Sequence, residues 1–361
     1  MLRSLLFVFL ILFSGCSPAY FFRAAYEEAK ILWRRQPIEQ MLEKDDLDKE
    51  TREKLELVLA ARSFAEETLH LTVGGSYSGY SYVDRPDVSY ALTVAPGTSL
   101  SPYTWWFPIV GRVPYKGFFS ENDARAAAQS FDREGYDTFV RPVSAFSTLG
   151  WFDDPLLARL LRLGKVTLVE IVLHELFHNT LFVRDAVDFN ESLANFVGNR
   201  GAMAFFLQRR GERSAEYRQA ERSWQEEREF SVMINELAAA LKDLYQRALP
   251  ENEKLELRQK LFRRAQEEWN HMTADRPEHH YRDFGKLEIN NAVVAHFMLY
   301  LGNLHLFEAI YDAKGRDLPR FIKAVVEAVG QSTEPWQGVR RLLPSHTRNP
   351  APGRTALNAL S

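Results

Sequence analysis

The chain has 361 residues, 46% hydrophobic and 26% charged, a balance that supports a packed core and excludes a disordered chain. Its net charge of −3 carries no basic surplus and no acidic block, which argues against nucleic acid as a partner. A single cysteine, Cys16, rules out an intrachain disulfide.

The N-terminus reads as an export signal. Residues 5–13 form an unbroken apolar run after Arg3, too short for the roughly 20 residues that span a bilayer. Ser14 and Gly15 then precede Cys16, which resembles a lipobox with Phe13 in place of the usual Leu. On that reading residues 1–15 are cleaved, the Cys16 thiol is lipidated, and the chain is anchored in the cell envelope. Ser17 after the cysteine would direct a Gram-negative lipoprotein to the outer membrane, facing the periplasm. The alternatives are ordinary signal cleavage or a short buried helix containing Cys16.

Residues 16–70 read as an N-terminal helical segment, with one helix over 19–35 and another over 37–69. Leu55, Val58, Leu59, Ala65 and Leu69 recur there at helical spacing. Residues 71–200 change character. Gly74-Gly75, Arg85-Pro86 and Pro96-Gly97 punctuate short Val- and aromatic-rich stretches such as 88–94, which predict strands. Residues 120–133 predict a helix, with Ser120 as N-cap and Gly135 as the stop, and 137–143 predicts a strand. This strand–helix–strand unit precedes the most informative stretch. Between them, Ser147, Thr148, Leu149 and Gly150 could form an edge strand that binds extended substrate through main-chain hydrogen bonds. They could equally form a turn that buries Trp151 and Phe152.

His174-Glu175-Leu176-Phe177-His178 is an HExxH motif inside an apolar run of helical character. Residues at i and i+4 of a helix lie about 40° apart around the axis and about 6 Å along it, so both imidazoles share one face. There they can hold zinc, while Glu175 borders the same face and can take a proton from a zinc-bound water. Catalytic zinc keeps three protein ligands and leaves a position for water. Glu191, thirteen positions after His178, is the best third ligand. Residues 182–188 read as a turn, after which Glu191, Ala194, Asn195 and Gly198 share a helical face. Ala194 and Gly198 are small enough to let the second helix approach the first. Asp188-x-x-Glu191 also fits a capping box, which would leave Glu191 as a helix cap.

Residues 201–343 read as a helical part completing the cleft, interrupted at Gly211 and at Leu249-Pro250, with charge runs such as 222–229 as solvated faces. No apolar run after the leader reads as long enough to cross a membrane. Tyr281 and Tyr300 are candidate donors to an oxyanion, and Asn290 and Asn291 candidates for holding substrate backbone. Each also fits a helix cap or a core hydrogen bond. Residues 344–361 read as a polar tail.

The chain resembles the bacterial putative aminopeptidase family of HExxH zinc peptidases, whose members often carry lipoprotein signals. The resemblance rests on His174–His178, Phe182-Val183, Asp185 and the Phe189-Asn190-Glu191 … Phe196-Val197-Gly198 stretch. It continues through Trp106-Phe107-Pro108, Tyr115-Lys116-Gly117-Phe118-Phe119, residues 145–155 and Asn290-Asn291-Ala292. It implies a gluzincin-type set of two His and one Glu on Zn²⁺, acting on a peptide substrate. It also favours Asn290, Asn291 and Tyr300 as site residues. No GxMEN-like strand, with which gluzincin aminopeptidases bind a free amino group, occurs in the sequence. The expected fold is α+β and mainly helical: a zincin-like catalytic core with a small β-sheet and an HExxH active-site helix. The leading alternative is a zinc-binding envelope lipoprotein that binds a partner or cell-wall peptide without cleaving it. Nothing in the sequence sets an oligomeric state.

Overall fold

A computed structural model describes residues 26, 30–82, 89–107, 110–143 and 153–344. The predicted leader, Cys16, most of the 19–35 helix, Ser147, Thr148, Leu149 and Gly150, and residues 345–361 lie outside the described residues. The described part is mainly helical with small sheets, an α+β protein as expected.

Two helices form its centre. The HExxH helix α4 (Lys165–His178) buries Val166, Leu168, Val169, Val172, Leu173, Leu176 and Phe177, and the longer α5 (Val187–Arg210) lies against it. The small residues of α5 permit that approach. A Cβ on Gly198 would meet the Glu170 carbonyl oxygen at 2.7 Å and the His174 Cβ at 3.2 Å. One on Gly201 would meet Leu173 Cδ1 at 2.8 Å.

On the other side of α4 packs α2 (Lys49–Glu67), through Leu55, Val58, Ala61, Phe64 and Ala65. The helix expected over 37–69 is therefore broken: α1 (Ile38–Leu42) ends early and α2 restarts at Asp48, whose side chain accepts from the Thr51 N–H. The intervening carbonyls of Leu42 and Lys44 are satisfied by Arg52. Beyond α5 lie α6 (Ala215–Gln246) and α7 (Glu251–Met272), separated near Pro250, and α5 itself stops at Gly211. Then come α8 (Asn291–Leu301), α9 (Leu304–Ala313), α10 (Leu318–Gly330) and α11 (Pro335–Arg340). One buried apolar cluster runs through these helices from Ile38 to Leu343.

Residues 291–313 are, by length and composition, apolar enough to cross a membrane, contrary to the sequence reading. They form two helices, α8 and α9, broken at Asn303 with φ of +60°, and over half of the apolar window is buried. Their apolarity is accounted for by the core.

Among the described residues the strands form three small sheets. In the first, β3 (Ser89–Pro96) is central, with β6 (Tyr115–Phe118) and β7 (Tyr136–Val143) antiparallel on either side. The expected strand–helix–strand unit is present as β6, α3 (Glu121–Arg133) and β7. Ser120 caps α3 by accepting from the Asp123 N–H, and Gly135 follows at φ +84°. Ala91, Leu92, Val94 and Ala95 bury β3 between α3 and α8. The second sheet pairs β1 (Gln36–Pro37), β2 (Gly79–Ser81) and β8 (Leu156–Leu157), and the third is a hairpin of β4 (Trp105–Phe107) and β5 (Gly111–Val113). A buried ion pair fixes the first sheet to the helices: Arg258 of α7 holds Asp137 of β7 at 2.5 Å, and Asp137 also accepts from the Asn291 N–H. This clamp sets where β7 passes α8.

Candidate metal centre

The side chains of His174, His178 and Glu191 meet where α4 ends and α5 begins. His174 Nε2 and His178 Nε2 are 3.2 Å apart, and Glu191 Oε2 lies 3.3 Å from the first and 3.8 Å from the second. Two donors at about 2.1 Å from one zinc in tetrahedral geometry are about 3.4 Å apart, so the three sides of this triangle match three of the four corners of a tetrahedron around one ion. Among the described residues these three form the one cluster of His, Cys, Asp or Glu that could hold a metal ion. His178 and Glu191 are buried. The His178 Nδ1 atom, facing away from the triangle, is buried without a partner among the described residues.

The connection between the helices is built to deliver Glu191. The 179–186 loop is clamped by the Asn190 side chain, which accepts from the Val183 N–H and donates to the Val183 carbonyl. Asp185, at φ +63°, accepts from the Arg112 N–H of β5 and packs where Gly111 has no side chain. The Phe-Asn-Glu stretch and the earlier Asp thus have separate jobs: Asn190 and Asp185 hold the loop, and Glu191 points at the histidines. The capping-box alternative is not what forms, because α5 starts at Val187 without a side-chain cap and Asp188 accepts from the Trp336 indole.

Burial alone would push the Glu191 carboxyl up, but hydrogen bonds from His174 and His178 outweigh it and hold Glu191 well below the usual range. Burial lowers His174, while the bond to Glu191 and the field of Glu175 more than offset it and leave His174 raised. The triangle is therefore a site where a carboxylate stays ionised out of water, as a metal ligand must.

Glu175 is half-buried beside the triangle, within electrostatic reach of Tyr77, Tyr115 and Tyr300. The Tyr300 ring lies 6.5 Å from that of His174. Burial and then the Glu191 charge raise the Tyr300 hydroxyl, so it keeps its proton and can donate. Tyr281 sits elsewhere. It stacks on Phe230 at 4.2 Å, and its hydroxyl donates to Glu227 Oε2 at 3.3 Å. Asn290 caps α8 by accepting from the Val293 N–H and donates to the Thr138 carbonyl. The Asn291 side chain is fully buried, donating to the carbonyls of Pro96, Gly97 and Ser99 and accepting from the Tyr245 hydroxyl. Both asparagines hold this chain's own backbone.

Two features escaped the sequence reading. The first is a buried polar layer beside the triangle, one turn before His174 along α4. Glu227 of α6 accepts from Asn195, Asn199 and Tyr281, and lies within electrostatic reach of His174 and Glu170. Residues 222–229 are thus not simply a solvated face, since Trp224 and Glu227 are buried. The signal was available: Ala220, Trp224, Glu227, Ser231, Ile234 and Ala238 follow the 3–4 spacing of an inward stripe. The second is Arg141 of β7, whose Nη2 donates to the Tyr300 hydroxyl and whose Nε donates to His296 Nδ1, both at 3.2 Å.

No curated protein and no solved structure matches the chain. A family model described as putative aminopeptidase matches residues 19–335. That span takes in both central helices, every ligand candidate and the strand bearing Arg141, and the chain belongs to the putative aminopeptidase family.

Proposed function

We propose that the protein is a zinc-dependent metallopeptidase with a zincin-like centre of gluzincin type. Family membership suggests a peptidase; the observation that carries the zinc reading is the donor triangle of 3.2, 3.3 and 3.8 Å. His174, His178 and Glu191 would hold the ion. When bound, zinc lowers the pKa of water to about 7 and polarises the scissile carbonyl.

The chain's own groups do the rest. Glu175, next to His174 on the same helix, takes a proton from the attacking water and returns it to the departing amine. The Tyr300 hydroxyl donates to the carbonyl oxygen as negative charge builds on it. Tyr77 and Tyr115 lie within electrostatic reach of Glu175 and, held protonated by burial, add no negative charge beside it. The Tyr281 hydroxyl is taken up by Glu227, whereas the Tyr300 ring lies 6.5 Å from that of His174, which favours Tyr300 as the donor.

The reading is tested with the full chain, a broad peptide library and mass-spectrometric identification of product ends. Glu175→Gln is expected to abolish hydrolysis while zinc content stays at the wild-type level. Cleavage surviving in that variant overturns the assignment, and a zinc-loaded wild-type chain that cleaves nothing leaves a binding protein. Product ends also decide between removal of terminal residues and internal cleavage. We infer further that Cys16 carries a lipid anchor that places the enzyme in the cell envelope. Cys16→Ala should move the protein from the membrane to the soluble fraction.

A further inference from the structure

Arg258, Arg200 and Arg141 are among the described arginines that are wholly or partly withdrawn from water. Arg258 is paired with Asp137 and Arg200 with Glu308. Arg141 differs. Its guanidinium is half-buried, yet among the described residues no carboxylate oxygen lies within 4.0 Å of it. Its partners are both neutral acceptors, the Tyr300 hydroxyl and His296 Nδ1. An arginine carries five N–H donors, and two are used here, so three remain, including both on Nη1.

The placement is deliberate in its construction. Phe139 and Arg141 project from one face of β7, and Phe139 packs on the His296 ring at 5.4 Å. His296 and Tyr300 are one turn apart on α8, so they receive Nε and Nη2 of the same guanidinium and fix its plane. The Asp137–Arg258 clamp on β7 and the Asn290 bond to the Thr138 carbonyl hold the strand at that level. Tyr300 carries the arrangement to the donor triangle, with its ring 6.5 Å from that of His174. A cation taken partly out of water costs free energy unless an anion meets it, and a planar guanidinium with free N–H groups matches a carboxylate.

We propose that Arg141 is the seat for a carboxylate of the substrate, either the C-terminal carboxylate of a short peptide or an Asp or Glu side chain near the scissile bond. The inference rests on the peptidase reading and deepens it, naming a substrate class that the family description does not contain. Arg141 binds the carboxylate through its remaining N–H groups while Tyr300 keeps its own hydrogen for the reacting carbonyl. The substrate is thereby fixed by an anion next to the centre rather than by its amino group.

The test is calorimetric and independent of turnover. The zinc-loaded full chain carrying Glu175→Gln is titrated with alanine-rich tetrapeptides in matched pairs: free C-terminus against C-terminal amide, and, with the terminus amidated, Glu against Gln at each position. At least one carboxylate peptide is expected to bind about tenfold or more tightly than its neutral mate, the ratio of one charge-assisted hydrogen bond. The pair that discriminates identifies the source of the carboxylate. Adding Arg141→Met should bring that ratio below about twofold, and Arg141→Lys should keep part of it; thermal melting shows that each variant is folded. Equal binding of carboxylate and neutral peptides, or a ratio that survives Arg141→Met in a folded protein, overturns this proposal and leaves the peptidase reading standing. Failure of every peptide to bind overturns both.

Discussion

Two levels along one face of α4, a single turn apart, give carboxylates opposite fates. At the donor triangle, Glu191 is buried against two imidazoles and is held ionised, well below the ordinary range. One turn earlier Glu170 lies near Glu227, which is buried among Asn195, Asn199 and Tyr281, and burial pushes the two acids up to about 8 and about 7. Glu191 and Glu227 are withdrawn from water to the same extent, and Glu170 somewhat less. What differs is the company: imidazoles that can share positive charge at the triangle, neutral donors and a second acid beside it. One helical turn thus separates donors fit for a divalent cation from a pair of acids that prefers protons.

The largest effect that would break this contrast comes from the donor triangle. Glu175→Gln should lower kcat by about 10²–10⁴-fold, the range for losing a general base, with one zinc retained. Tyr300→Phe should lower kcat by about 10²-fold with little change in KM, as expected for a donor used only in the transition state. Steady-state kinetics on the peptide identified by product analysis reads both. A change of KM alone would assign Tyr300 to binding.

The contact between α4 and α5 should be next in size. Gly198→Ala puts a Cβ about 2.7 Å from the Glu170 carbonyl, so the helices must shift. A destabilisation of about 1–3 kcal/mol is expected by denaturant unfolding, together with weaker zinc binding because Glu191 rides on the same helix. Unchanged stability would mean that the close approach is not a constraint.

The smallest effect sharpens the half of the comparison that concerns Glu170 and Glu227. Glu170 and Glu227 have folded-state values above the ordinary carboxyl value, so the folded protein binds more protons than the unfolded chain between about pH 4.5 and pH 8. Their contribution is fully present below the unfolded value and is lost as pH rises through the folded one. Tm should therefore decline across that window from this source, and Glu227→Gln should make the decline shallower. Scanning fluorimetry from pH 5 to 9 checks the difference between the two curves. Identical slopes would place the titration elsewhere.

The donor triangle was legible in the sequence for a simple reason. A helix repeats every 3.6 residues, so His174, His178 and the Glu191–Ala194–Gly198 face can be laid out without any tertiary information. Ser120, Gly135, Gly211 and Pro250 marked element ends for equally local reasons. The cap at Asn290 is equally local, but the remaining bonds of Asn290 and Asn291 could not be read that way, because their partners are carbonyls of Thr138, Pro96, Gly97 and Ser99, roughly 150 to 200 positions away. Arg141 was invisible for the same reason, a lone arginine on a strand until α8 brings His296 and Tyr300 to it. Glu227 was hidden differently, by a charged stretch whose inward stripe contains a carboxylate where an apolar residue is expected.

Occupancy of the donor triangle is the most direct test of the zinc centre. Zinc per chain, measured by elemental mass spectrometry on the full chain after dialysis against trace metal, should be one for the wild type and close to zero for Glu191→Ala and for His174→Ala. A full equivalent of zinc retained by folded Glu191→Ala, or none bound by the wild type, would contradict it.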